Sequence, residues 1–183
     1  AVGDHSHAEG DGTYANGLHS HAEGSSTTAD GHDSHAEGSS TTSIGQYSHA
    51  EGAGTTASGD GSHAEGNTTI ASGSYSHAEG NGTTANGLAS HAEGAITTAN
   101  GNYSHAGGYN STASGSTSFV YGSGSTAGGT NTIVLGSNIT GTLPNTVYVA
   151  PMVVARLSTT QINALTPLNG MIVYDTTLNK FRG

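Results

Sequence analysis

The chain has 183 residues, a formal net charge of −10, 30 glycines and no cysteine. Hydrophobic residues make up only 32% and tryptophan is absent, so the chain cannot assemble a conventional core of large apolar side chains. Three basic residues against 13 acidic ones argue against a nucleic-acid partner, because phosphate contacts need clustered Lys and Arg. Without cysteine, neither a disulfide framework nor a thiolate metal site can form.

Targeting signals are not recognisable in the sequence. No stretch reaches the roughly 18 apolar residues of a membrane span, and no signal peptide is visible. The chain begins without methionine. Its first residues match the middle of the sequence repeat that is described in the next paragraph. We therefore expect it to be a segment of a longer protein.

A repeat of fourteen residues occupies most of the chain. The pentapeptide SHAEG begins at Ser6 and recurs every fourteen residues up to Ser90, and SHAGG follows at Ser104. Glycine recurs with the same period from Gly10 and again from Gly17. Such strict register argues against a disordered low-complexity chain and indicates a repeat architecture.

Each repeat consists of two short segments, and each segment ends at a glycine where a tight turn can adopt a positive φ. Segments of this length, rich in Ser, Thr and Ala, are too short and too poor in helix formers for helices. The repeat predicts an all-β solenoid with two short strands per coil, each pairing in parallel with its counterpart in the next coil. We assign residues 1–141 to ten such coils and residues 142–183 to a small mixed connector.

Strand alternation assigns the repeat positions to faces. In SHAEG, His and Glu point to one side, while Ser, Ala and Gly point to the other. A two-strand coil has almost no interior, so the small residues must point inward and His and Glu outward. Continuing the register, SFVYG from Ser118 and TIVLG from Thr132 place Phe, Tyr, Ile and Leu at these outward positions. This pattern predicts a seam that packs against other copies of the chain.

SFVYG and TIVLG resemble the SVAIG motif of YadA-like heads in trimeric autotransporter adhesins, and SHAEG…TTAxG resembles a polar version of it. The resemblance covers about residues 1–136. It implies a left-handed parallel β-roll, three copies of which associate around a common axis with the two alternating motif positions facing the trimer interior. Eight coils carry His where the family motif has an aliphatic residue. The resemblance implies polar trimer-core layers at His7, Glu9, His21, Glu23, His35, Glu37, His49, Glu51, His63, Glu65, His77, Glu79, His91, Glu93 and His105, and apolar layers at Phe119, Tyr121, Ile133 and Leu135.

Charge along this seam needs compensation. Glutamates of adjacent coils lie about 4.8 Å apart, so at an effective dielectric constant near 20 they repel by roughly 3 kcal/mol. The basic residues Arg156, Lys180 and Arg182 lie near the C-terminal end, which leaves the histidines as partners. We expect a His–Glu network in which pairing raises the pKa of His and lowers that of Glu, so that stability declines in alkaline solution.

The C-terminal part differs in kind, since Pro144, Pro151 and Pro167 all follow the repeats. LSTTQINALTP predicts a short helix with a Ser or Thr N-cap. NGMIVYDTTLNKFRG predicts a turn, a strand, a second turn and the start of a returning strand. This segment resembles connectors of phage tail fibres, which stand before a tip or chaperone domain.

These features predict a structural and adhesive segment of a homotrimeric fibre outside the cell, either a phage-like tail fibre or a bacterial surface adhesin. The expected partners are two identical chains and a cell-surface receptor, glycan or matrix protein. We expect no nucleic acid, cofactor or resident metal. We also expect no enzyme, because Ser and His of SHAEG face opposite sides of a strand and eight equivalent copies do not form one active site.

Three other interpretations stay open for the outward faces. The His and Glu face can simply be solvated, or three imidazoles on a threefold axis can bind a first-row metal. An ice-binding surface is the third, because the second Thr of each TT pair points outward, although Tyr14 and Ile70 interrupt this rank. The outward threonines are Thr28, Thr42, Thr56, Thr84, Thr98 and Thr112.

Overall fold

A computed structural model gives the fold of residues 1–149, 156–164 and 172–182. The chain divides into two compact units, Ala1–Ala150 and Pro151–Gly183. Among these described residues, no helix combines the length and the apolar character that a membrane crossing requires.

The first unit is a parallel β-solenoid of about ten coils, in which successive coils add strands to two sheets. Its repeat is the predicted fourteen residues, since His21 pairs with His35 and Thr28 with Thr42. Within the described residues, the eleven strands of the first sheet are His7–Asp11, His21–Ser25, His35–Ser39, His49–Ala53, His63–Asn67, His77–Asn81, His91–Ala92, His105–Tyr109, Phe119–Ser123, Ile133–Ser137 and Val147–Val149. The ten strands of the second sheet in the same residues are Tyr14–Ala15, Thr28–Ala29, Thr42–Ser43, Thr56–Ala57, Ile70–Ala71, Thr84–Ala85, Thr98–Ala99, Thr112–Ala113, Thr126–Ala127 and Thr140–Gly141.

Small side chains fill the interior of the coils. The inward alanines, such as Ala64 and Ala71, are fully buried, and Val120 takes the same position in a later coil. The inward serines are buried as well, and many of them bond to the preceding turn: Ser62 donates from Oγ to the carbonyl of Gly59 at 2.6 Å. A core of this kind has no room for side chains as large as His and Glu, which is why these two point outward.

The two glycine registers serve different purposes. At Gly66, φ is +107° and an added Cβ would lie 2.2 Å from the carbonyl oxygen of Gly80 in the next coil. At Gly73, an added Cβ would lie 2.0 Å from the carbonyl oxygen of Gly87, but φ is not positive there. The positive φ of that second turn falls two residues later, at Tyr75. Close approach of neighbouring coils therefore explains the second register, where the sequence had suggested a positive φ.

The first sheet continues beyond residue 141, where the predicted repeat domain ends. Val147–Val149 pairs in parallel with Ile133–Leu135, in the same fourteen-residue register as the earlier coils. The compact unit accordingly extends to Ala150.

The second unit contains one described helix and a small sheet. The helix Thr159–Asn163 has Ser158 as its N-cap, with a reciprocal capping box to Gln161, in agreement with the sequence. Val173–Asp175 pairs antiparallel with Lys180–Arg182, which gives the predicted hairpin, and the first turn of that prediction, at 169–170, lies outside the described residues. Arg156–Leu157 adds a parallel strand that the sequence did not indicate.

The glycine geometry predicts the effect of two alanine substitutions. Gly66→Ala should destabilise the fold by roughly 3 kcal/mol, because it combines a left-handed backbone with a clash against the next coil. Gly82→Ala is the matched control: φ is +63°, but the nearest atom to an added Cβ, Ile96 Cγ1, is 4.0 Å away. Its cost should be about 1 kcal/mol. Urea unfolding at fixed protein concentration measures both, and equal destabilisation would show that the coils do not approach so closely.

Candidate functional site

The outward positions of the first sheet form one continuous surface, which we call the seam face. It contains the predicted rank of histidines from His7 to His105 and the predicted rank of glutamates from Glu9 to Glu93. Each rank is in strict register, as in the pairing of His63 with His77 and of Glu65 with Glu79. Parallel pairing thus aligns the residues that the sequence proposed as layers.

The imidazole rings of the seam face stack directly on one another. From His21 to His77, successive ring centroids lie 4.8–4.9 Å apart and the interplanar angles are 1–4°. The stack tilts at its end, where the rings of His91 and His105 make an angle of 52°. Phe119 continues it, with its ring 4.9 Å from that of His105. The histidine rank and Phe119 therefore form one uninterrupted column, whereas Gly107 separates the glutamate rank from Tyr121.

Each imidazole lies close to a carboxylate of its own coil or of the preceding coil. His35 Nε2 is 3.9 Å from Glu37 Oε2 in the same coil. In later coils the closer carboxylate belongs to the preceding coil, and the distance shortens to 3.1 Å between His91 Nε2 and Glu79 Oε1, which is a hydrogen bond. These side chains are about one-third exposed in the single chain, so the ranks are half-buried.

Burial and stacking lower the pKa of two histidines in the stack, His49 and His77. For His49 and His77, burial is the largest cause, and repulsion from the two neighbouring imidazoles adds to it. The flanking glutamates act in the opposite direction but do not compensate. The expectation that pairing raises the His pKa is therefore wrong for these two residues. Their contacts with Glu at neutral pH involve neutral imidazoles.

The glutamate rank borders a shallow open groove. The pKa of Glu65 is lowered, first by hydrogen bonding with the Glu51 side chain and also by the nearby His63, while burial acts against both. The groove has a volume of about 590 Å³. Its lining consists of Glu9, Gly10, Glu23, Gly24, Glu37, Gly38, Glu51 and Gly52. Glutamate side chains thus face an accessible space along four coils.

Potential ligand atoms cluster along the ranks. In five groups of three side chains, one imidazole nitrogen or carboxylate oxygen from each member lies within 4.8 Å of the others. The five groups in the described residues are Glu9, His21 and Glu23; Glu23, His35 and Glu37; Glu37, His49 and Glu51; Glu51, His63 and Glu65; and His77, Glu79 and His91.

The apolar end of the seam face is longer than the sequence analysis proposed. Tyr121, Ile133 and Leu135 are 51%, 38% and 39% exposed. Val147 and Val149 align with Ile133 and Leu135 in the next strand and are 59% and 45% exposed. The segment TVYVA, which begins fourteen residues after TIVLG, carries the signal that would have identified these two valines.

The second sheet carries the predicted threonine rank on its outer face. Thr84 and Thr98 align in neighbouring strands, and both are half-buried. Tyr14 and Ile70 occupy the same rank with 58% and 41% exposure, so the surface is interrupted as expected.

In comparisons with known proteins, no family model matches the chain and no curated protein matches it. The resemblance to YadA-like heads therefore rests on the sequence motifs, and the structure shows a repeat β-solenoid with fourteen-residue coils.

The lowered His pKa values predict loss of stability in acid. Below the unfolded-state value of 6.5, the unfolded chain takes up protons more readily than the stacked imidazoles do, so stability falls as the pH drops and is complete above that value. The lowered pKa of Glu65 acts in the same direction at lower pH. Thermal melts with EDTA present should give a lower Tm at pH 5 than at pH 7.5, and little change between pH 7.5 and 9.

A double variant checks the cause of this pH dependence. His49→Gln with His77→Gln removes two titrating members from the stack and should flatten the melting profile between pH 5 and 7. If the Tm of the wild-type protein instead declines from pH 7 to pH 9, ion pairing with Glu dominates and the His pKa values are raised.

Proposed function

We propose that this chain is a structural and adhesive segment of a homotrimeric fibre, with the three seam faces turned toward a common axis. The observation that carries the proposal is the continuity of the seam face. Its half-buried histidine rank passes without a break into Phe119, and exposed apolar side chains follow in the next coils. Contiguous exposed apolar side chains of this kind mark interaction surfaces.

The regular spacing of the layers supports an identical chain as the partner. Ring centroids repeat every 4.8–4.9 Å along the seam face. Another copy in the same axial register presents layers with that same spacing, so every His and Glu layer meets an equivalent one. In a ring of three copies, one side of each seam face contacts the other side of the next seam face, and the rotation closes the ring instead of continuing into an open filament.

The half-buried histidines make a polar trimer interior feasible. An imidazole N–H can donate a hydrogen bond to a carboxylate, and His105 Nε2 lies 3.1 Å from Glu93 Oε1 in such a contact. Such an arrangement avoids stacking two ranks of opposite full charges away from water, which would carry a large desolvation cost. Water or ions between the chains would satisfy the remaining carboxylate oxygens.

The setting we favour is a phage-like tail fibre outside the cell. The repeats resemble adhesin heads, which fits a bacterial surface adhesin as well. The helix and hairpin of the second unit resemble a tail-fibre connector, and such a connector would have little purpose in a membrane-anchored stalk. In either setting the fibre projects or forms a surface that contacts a receptor, glycan or matrix protein on a target.

A monomeric ice-binding solenoid is the competing proposal. The aligned threonines of the second sheet favour it, but they form one rank, broken at Tyr14 and Ile70. We therefore expect a thermal-hysteresis assay to show no activity, and clear hysteresis would favour this alternative.

Molar mass in solution tests the trimer. Light scattering after size exclusion at neutral pH should give about 54 kDa, which is three times the 18.0 kDa chain. Leu135→Lys with Val147→Lys should shift the mass toward the monomer, because both side chains lie in the apolar end of the seam face. Ile70→Lys, on the second sheet and 41% exposed, is the control and should leave the trimer intact. A wild-type mass near 18 kDa would overturn the proposal.

A further inference from the structure

We propose that the His and Glu ranks of the seam face bind divalent first-row transition-metal ions, each held by one of the five three-residue groups within a single chain. The ligands come from one chain, so the proposal does not depend on the trimer. It also differs from a site made by three imidazoles on a threefold axis, because each ion here takes both imidazole and carboxylate ligands.

The distances suit such an ion. A tetrahedral ion with bonds near 2.1 Å to nitrogen and oxygen has ligand atoms about 3.4 Å apart. His63 Nε2 and Glu51 Oε1 are 3.4 Å apart, and His91 Nε2 and Glu79 Oε1 are 3.1 Å apart. The third atom of each group lies within 4.8 Å of the other two, which small side-chain rotations bring into range.

The donor set selects the kind of ion. Imidazole nitrogen with carboxylate oxygen, and no thiolate, suits zinc, cobalt, nickel, copper(II), manganese or iron(II). Calcium and magnesium prefer ligand sets made entirely of oxygen. Three protein ligands also leave a fourth position for water, or for a group from another chain.

Histidine nitrogens without a hydrogen-bond partner give a second indication. The Nε2 atoms of five histidines are shielded from solvent and have no hydrogen-bond partner in the described part of the chain. A buried polar atom without a partner costs stability, so it calls for a ligand, an ion or water. Each of the five groups contains one member of this set, which is His21, His35, His49, His63 and His77.

Charge also favours a cation at this surface. The formal net charge of the chain is −10, and the glutamates of adjacent coils align directly. An ion placed between Glu9 and Glu23, or between Glu37 and Glu51, contacts two carboxylates that otherwise repel each other. A bound cation therefore reduces the repulsion between the aligned glutamates.

The sharing of glutamates sets the number of ions. The group of His77, Glu79 and His91 shares no residue with the other four, whereas those four form a chain through Glu23, Glu37 and Glu51. Three groups can be filled without sharing any residue, and five if the shared carboxylates bridge two ions. We expect saturation at three to five ions per chain.

The test uses zinc with a matched pair of variants. Glu79 and Glu93 occupy the same position in neighbouring coils, and each accepts a hydrogen bond from a histidine at 3.1 Å. Only Glu79 belongs to one of the five groups. Native mass spectrometry and calorimetric titration with Zn²⁺ should show that Glu79→Gln binds one ion fewer than the wild type, while Glu93→Gln binds the same number.

Two further readouts separate specific sites from incidental binding to surface histidines. Co²⁺ should give an intense visible absorption typical of tetrahedral coordination, and Zn²⁺ should raise Tm reversibly with EDTA. Both variants should have similar Tm values in EDTA, since each loses one equivalent hydrogen bond. The proposal is overturned if the two variants bind equally, if no ion binds, or if binding disappears on replacing His5, His19 and His32, which lie outside the groups. Molar mass measured on the same samples shows whether the trimer has formed. A failure of metal binding can therefore be distinguished from a failure of the trimer proposal.

Discussion

The structure depends on the close parallel approach of successive coils. Glycine backbones in both registers come so near their counterparts that a single added methyl group would overlap a carbonyl oxygen at about 2 Å. This contact holds neighbouring coils at the distance between two hydrogen-bonded strands. It also fixes the register between coils at fourteen residues. Every outward position must then stack on the same position of the next coil, whatever its charge.

Stacking of identical residues explains the electrostatics of the seam face. Histidines are placed beside histidines and glutamates beside glutamates, so like charges accumulate along each rank. Burial and this stacking lower the pKa of His49, whose half-buried ring has His35 and His63 on either side. The same alignment repeats clusters of nitrogen and oxygen atoms, so that one local arrangement becomes a row of candidate ion sites.

Much of the fold could be predicted from the sequence because the repeat leaves few alternatives. The alternation in SHAEG was sufficient to place Ala64 inside and His63 outside, and the apolar substitutions at Phe119 and Ile133 marked the end of the polar ranks. Three features were not predicted correctly or at all, and two of them depend on tertiary context. The direction of the His pKa shift requires the balance between burial and pairing, and the extension to Val147 and Val149 was obscured by Pro144. The third is the left-handed backbone at non-glycine residues such as Ile96. The conformational preferences of a β-branched residue do not predict a positive φ at that position.

The central claim is that the seam face lies between copies of the chain, and disulfide cross-linking tests it most directly because the chain has no cysteine of its own. A single cysteine would be placed at His63 on the seam face or at Ile70 on the second sheet, and each variant would be oxidised at low protein concentration. Non-reducing denaturing gels should show covalent dimers for His63→Cys and monomers for Ile70→Cys. Rapid dimer formation at position 70 but not at position 63 would contradict the inward seam.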